Sequence, residues 1–173
     1  MILDTIKDFF RARAIRKWAS KVPTSLMSLS QVKSVAVLMD VEDPGFREYQ
    51  DVIASWVKAM GIKPDLHFFD FRRLEKDELL ITSIQNTVLK KDLNWYDMPD
   101  PVHVVDINAD LFISLVNNAD FPVRFYMTCS RAKFKVGRCG WEGHPFDLLI
   151  SGKEGSSAME VFSSMKTYLG KLS

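Results

Sequence analysis

Four cations, Arg131, Lys133, Lys135 and Arg138, crowd into residues 131–138, and four small polar side chains, Asp40, Asp70, Ser114 and Ser151, each close a short apolar run. Cations beside small polar groups at strand ends are the equipment of an anion site, because open α/β sheets gather ligands beyond the carboxyl ends of their strands. The expected ligand-binding set is therefore Asp40, Asp70, Ser114, Lys133, Lys135, Arg138 and Ser151, with a small phosphate-bearing anion as the ligand. A plainer reading stands beside it. Small polar residues after strands are what ordinary turns look like, and an alternating strand with Lys on one side is how an exposed sheet edge avoids aggregation.

The remaining chemistry is sparse. The first apolar run is followed by DVEDPG, which is acidic and has no glycine-rich turn to cradle a phosphate. His67, His103 and His144 are scattered, without metal-ligand spacing, and no GxSxG nucleophile turn occurs. Cys129 and Cys139 form no CxxC pair and read as reduced thiols of a cytoplasmic protein. No cofactor and no metal are expected, and catalysis is left open.

The elements that must position these residues follow from periodicity. Residues 35–39, 66–71, 111–116 and 146–150 are short apolar runs suited to parallel strands covered on both faces. Between residues 44 and 60, Phe46, Tyr49, Ile53, Trp56, Val57 and Met60 recur at helical steps, with Trp56 expected at the centre of the stripe, Asp43 as the expected cap and Pro44 in the first turn. Ser157 and Glu160 make a capping box for a helix over 157–171. Asp100-Pro101 and Asp120-Phe121-Pro122 open two further helices, and a weak helical pattern runs over 77–90. Strands alternating with helices predict a single-domain α/β fold: an open, mostly parallel sheet, Rossmann-like or flavodoxin-like, in three layers.

The N-terminus is a separate unit. Residues 1–22 hold six basic and two acidic side chains, +4, which leaves −3 for the rest of a chain whose net charge is +1. They read as a basic helical segment preceding an α/β domain over 33–173. At 100° per residue, Ile2, Leu3, Ile6, Phe9 and Phe10 share one face, whereas Ala14, Ile15, Trp18 and Val22 share another, rotated by more than a third of a turn. Two short helices, or one helix docking on two surfaces, would explain the offset. The split favours docking on the body, on a second copy or on a protein partner, and disfavours a membrane surface, since Trp18 and Phe10 cannot both enter one bilayer face from a straight helix. Nucleic acid is disfavoured too, since Trp95, Tyr96 and Trp141 lie apart and the chain beyond the N-terminus is slightly acidic. No apolar run reaches the roughly 18 residues of a spanning helix, and the order of apolar and basic residues is the reverse of a signal peptide's. The chain reads as soluble and unexported.

The segments DLFISL, SRAKFKVG and FDLLI, the LNW before them and the YLG at the end of the last helix resemble an uncharacterised family of small bacterial α/β proteins, a domain of unknown function. The resemblance spans about residues 33–172. It implies the same fold and brings no catalytic residue with it. The leading expectation is thus a non-enzymatic binding or assembly module; the alternative is an enzyme or sensor for a small anion, and a further one is attachment of the N-terminal helix to a membrane or partner.

Overall fold

The computed structural model describes residues 1–73 and 86–172. Six strands form one parallel sheet: β1 (Val35–Asp40), β2 (Asp65–Asp70), β3 (Thr87–Leu89), β4 (Leu111–Ser114), β5 (Phe134–Gly137) and β6 (Leu148–Leu149). Their order is β3-β2-β1-β4-β5-β6, the doubly wound order in which the chain reverses direction across the sheet between β1 and β4. Helix α2 (Phe46–Ala59) and helix α5 (Ala158–Leu169) cover one face, packing Tyr49, Ile53, Val57, Phe162 and Met165 on Val37, Met39 and Ile113. Helices α3 (Pro101–Val105) and α4 (Phe121–Cys129) cover the other, where Phe125 and Met127 meet Ala36, Leu38 and Phe112. Alternate residues of β1 thus enter opposite cores, which is why its whole run is apolar.

Helix α5 opens on the expected Ser157–Glu160 capping box, and Asp100 caps α3 by accepting from the Val102 N–H at 3.0 Å. Four expectations need correction. The helix over 77–90 lies partly outside the described residues, and where it is described, Thr87–Leu89 is a parallel strand on β2; β-branched Thr87 and Val88 gain more from that pairing than from a helix. Asp43 does not cap α2. A turn ending in left-handed Gly45 begins the helix, and the Asp43 carboxylate goes elsewhere. Strand β5 is no solvated edge but an interior strand between β4 and β6, with every residue buried. Finally, Trp56 sits at the margin of its stripe, half-buried and edge-on to Phe162, while Ile53 and Val57 occupy the centre.

Residues 2–18 form one helix, α1 (Ile2–Trp18), rather than two. Its second half docks beside α4: Ala14 is buried, Ile15 and Trp18 pack on the core, and Arg11 donates to the Tyr96 carbonyl at 3.0 Å and to the Asp97 carboxylate. Asp97 holds a left-handed backbone (φ 65°) and also receives Lys7 at 3.4 Å and Lys90 at 3.7 Å. Burial alone would raise its carboxyl, yet these cations hold it below the ordinary range. The first half of α1 runs past the body with Ile2, Leu3, Ile6 and Phe9 exposed by 80, 61, 42 and 65%. The offset stripes thus belong to one helix: Ala14, Ile15 and Trp18 of the second pack on the core, whereas of the first only Phe10 reaches the body, against Trp95 and Tyr96.

Candidate functional site

Strand geometry brings Asp40, Asp70, Ser114 and Arg138 to the carboxyl ends of β1, β2, β4 and β5. Arg138 directly follows β5, and its guanidinium turns inward, 5% exposed, to fill the point where the chain reverses direction. Nη1 donates to Asp43 Oδ2 and to the Leu115 carbonyl, both at 3.1 Å, and Nη2 to the Ser156 carbonyl at 2.8 Å. One side chain thereby ties the loops after β1, β4 and β6. In a doubly wound sheet this is where a nucleotide phosphate would sit, and here the chain's own cation lies there, satisfied by its own acceptors.

The acids around it are set by burial. Asp40 is raised above the ordinary carboxylate range by desolvation and by neighbouring Asp43, Glu42 and Asp70, against the lowering effect of the Glu42 N–H, which donates to Asp40 Oδ1 at 2.9 Å. Asp43 is raised by desolvation in spite of Arg138, and the hydroxyl of Tyr49 donates to the Asp40 carbonyl at 3.0 Å, with its own ionisation pushed up by burial. Asp70 is buried but grips Arg72 through two bonds of 2.8 and 2.7 Å, which hold it below the usual range. Ser114 is buried; Ser151 is exposed after β6 and shares a hollow of about 380 Å³ with Arg138, Lys153 and Ser156.

Lys133 and Lys135 do not join this group. Lys133 precedes β5 at the opposite end of the sheet, where it pairs with Asp110 at 2.8 Å and depresses that carboxyl. Lys135 projects from the middle of β5 into the α4 layer, 2% exposed, and donates to the carbonyls of Met127 at 2.6 Å and Ser130 at 2.9 Å. It caps the C-terminus of α4, where the helix dipole favours a cation. Burial lowers its pKa to about 8 and raises the neighbouring Cys129 thiol to about 12. An amine poised near neutrality is suited to proton transfer, but its protons are committed to two carbonyls and it is sealed from solvent. The alternation of residues 131–136 located the cations without revealing that β5 is interior. Only a count of strands on either side carries that information.

Two features escaped the sequence reading. A groove of about 950 Å³ lies between α1, the ends of β2 and β3 and the start of α4, lined among others by Arg11, Arg16, Lys90, Arg124, Asp97 and Asp120. It could not be seen before α1 was placed on α4. His67 places Nε2 3.1 Å from Asp65 Oδ2 and borders a hollow of about 500 Å³ with Asp100, His103 and Tyr126. No group of His, Cys, Asp and Glu among the described residues has the geometry of a metal site. No helix among them is long and apolar enough to cross a membrane.

The class these observations define is a doubly wound α/β protein, its described strands all parallel, whose reversal point is filled from within. The chain belongs to DUF6913, a family of unknown function, whose family model matches residues 7–172. No curated protein and no solved structure matches the chain.

Proposed function

We propose that this protein is a non-enzymatic binding module that makes its contacts through the outer face of α1. The observation that carries this reading is the contrast between the two ends of α1: the second half is fixed to the core through Ala14, Ile15 and Trp18, while the first half holds Ile2, Leu3, Ile6 and Phe9 in solvent. A helix retained for stability alone would bury its apolar side chains; a contiguous exposed set marks an interaction surface. Arg138, which occupies the reversal point with its own acceptors, supports the same conclusion. Free Cys129 and Cys139 support a cytoplasmic location.

The test is a pair of variants in urea unfolding. Ile2→Ser/Ile6→Ser/Phe9→Ser should leave stability within about 0.5 kcal/mol of the wild type, as expected of exposed positions, whereas Trp18→Ala should lower it by about 2 kcal/mol. A loss above about 2 kcal/mol in the triple variant would mean that the outer face is structural, and the reading would fall. A second reading, an enzyme or sensor for a small phosphate-bearing ligand, has one observation on its side: the hollow in which Arg138, Ser151 and Lys153 meet.

A further inference from the structure

Resting on the assignment of the outer face of α1 as a contact surface, we infer that its occupant is an anionic lipid surface. With 100° between successive residues, Ile2, Ile6 and Phe9 share one solvent-facing arc with Arg13 and Lys17 and with exposed Arg16, which stands at its edge on the rim of the groove. The first three are apolar and the last three basic, so the arc changes character along the helix. Asp4 and Asp8 fall outside it, and Asp8 is tied to Arg11 at 3.1 Å. Arg13, Arg16, Lys17 and the exposed Lys21 beyond them have no carboxylate partner among the described residues. Lys17 instead lies over the Trp18 ring at 4.9 Å.

The apolar part continues onto the body. Trp95, 51% exposed, sits edge-on to Phe10 at 5.1 Å, and Phe10 in turn meets Phe9. Exposed aliphatic and aromatic side chains beside uncompensated cations match the boundary between acyl chains and phosphate headgroups, where Trp prefers to lie and where Lys and Arg find their counter-charge. The earlier objection to a membrane, that Phe10 and Trp18 cannot enter one bilayer face, disappears because both pack against the protein. A second copy fits less well. A twofold pairing of the arcs that overlaps only the apolar tips covers a few side chains, well short of the roughly 800 Å² per partner of a stable interface, and a longer antiparallel overlap sets cations against Ile and Phe.

The experiment is co-sedimentation of the full chain with phosphatidylcholine vesicles and with phosphatidylcholine–phosphatidylglycerol vesicles, at low salt and at about 0.5 M salt, where the Debye length falls to about 4 Å. Binding should require the anionic lipid and weaken with salt. Each cation is worth roughly fivefold, so Arg13→Ala/Arg16→Ala/Lys17→Ala should reduce binding by roughly 100-fold. Ile6→Ser/Phe9→Ser should reduce it at least tenfold with an unchanged unfolding midpoint. Absence of binding to anionic vesicles at low salt would overturn the inference, as would retention of RNA or heparin by Ile6→Ser/Phe9→Ser at wild-type strength with no vesicle binding, or lipid-free self-association abolished by the same pair. Each of those results leaves the contact-surface reading standing, whereas a destabilised serine variant removes both.

Discussion

Arg138→Met should lower the free energy of unfolding by about 3–5 kcal/mol in urea at neutral pH, the cost of breaking a buried ion pair from one side. The substitution strands three acceptors at once: the Asp43 carboxylate and the carbonyls of Leu115 and Ser156. Asp43 suffers most, because burial already holds its carboxyl above the ordinary range and Arg138 is the main force lowering it. Without the guanidinium that carboxyl rises further. A raised folded-state pKa contributes stability below the unfolded value of 3.8 and loses it as pH climbs through the folded value, so the deficit of the variant should shrink as pH falls toward 4. Combining Arg138→Met with Asp43→Asn should cost less than the two separate losses summed, since the second change removes the orphaned charge. A loss below about 1 kcal/mol at neutral pH would mean that the three loops do not depend on this side chain.

The second large effect belongs to Lys135 and appears as a pH dependence. Its pKa of about 8 in the folded protein stands against an ordinary value of 10.5, and burial is the leading cause. The gap corresponds to about 3 kcal/mol at 1.36 kcal/mol per tenfold change in proton affinity. Because the folded value is the lower one, the stabilising contribution is complete above 10.5 and is lost as pH falls through 8. The wild type, measured relative to Lys135→Met, should therefore gain about 3 kcal/mol between pH 8 and 10.5 and remain flat from pH 6 to 7. The methionine removes the charge while keeping an unbranched side chain in the layer beneath α4. Parallel pH profiles for the two proteins would show that Lys135 reaches solvent.

Much of this architecture was legible in the residues. The unbroken apolar runs of β1 and β4 required cover on both faces, and the 3.6-residue recurrence of Tyr49, Ile53 and Val57 required α2. The Ser157–Glu160 pair marked the start of α5 through the one local hydrogen-bond pattern that sequence specifies almost completely. What sequence could not supply was long-range. Lys133 and Lys135 are separated by two positions, yet one pairs with Asp110 at the amino end of the sheet and the other caps α4, a division fixed by neighbours 23 and 8 residues away. Arg138 shows the same limit more sharply, because its partners lie 95, 23 and 18 residues distant and turn a solvated-looking cation into the tie between three loops. In α1 the split stripe was visible, but which half would find the body depended on the Tyr96–Asp97 turn, to which Arg11 bonds.

Helix α1 is one helix with two surfaces, and hydrogen exchange on the full chain, free of lipid and partner, measures this directly. Amides of Ala14–Trp18, backed by the core that buries Ala14, should exchange close to the global unfolding rate. Those of residues 5–9, which lie past the body, should exchange at least about 100-fold faster. Uniform slow exchange along the whole helix would place the outer tip under a covering surface, and uniform fast exchange would mean that α1 is not docked; either result would contradict the division of the helix into a fixed half and a contacting half.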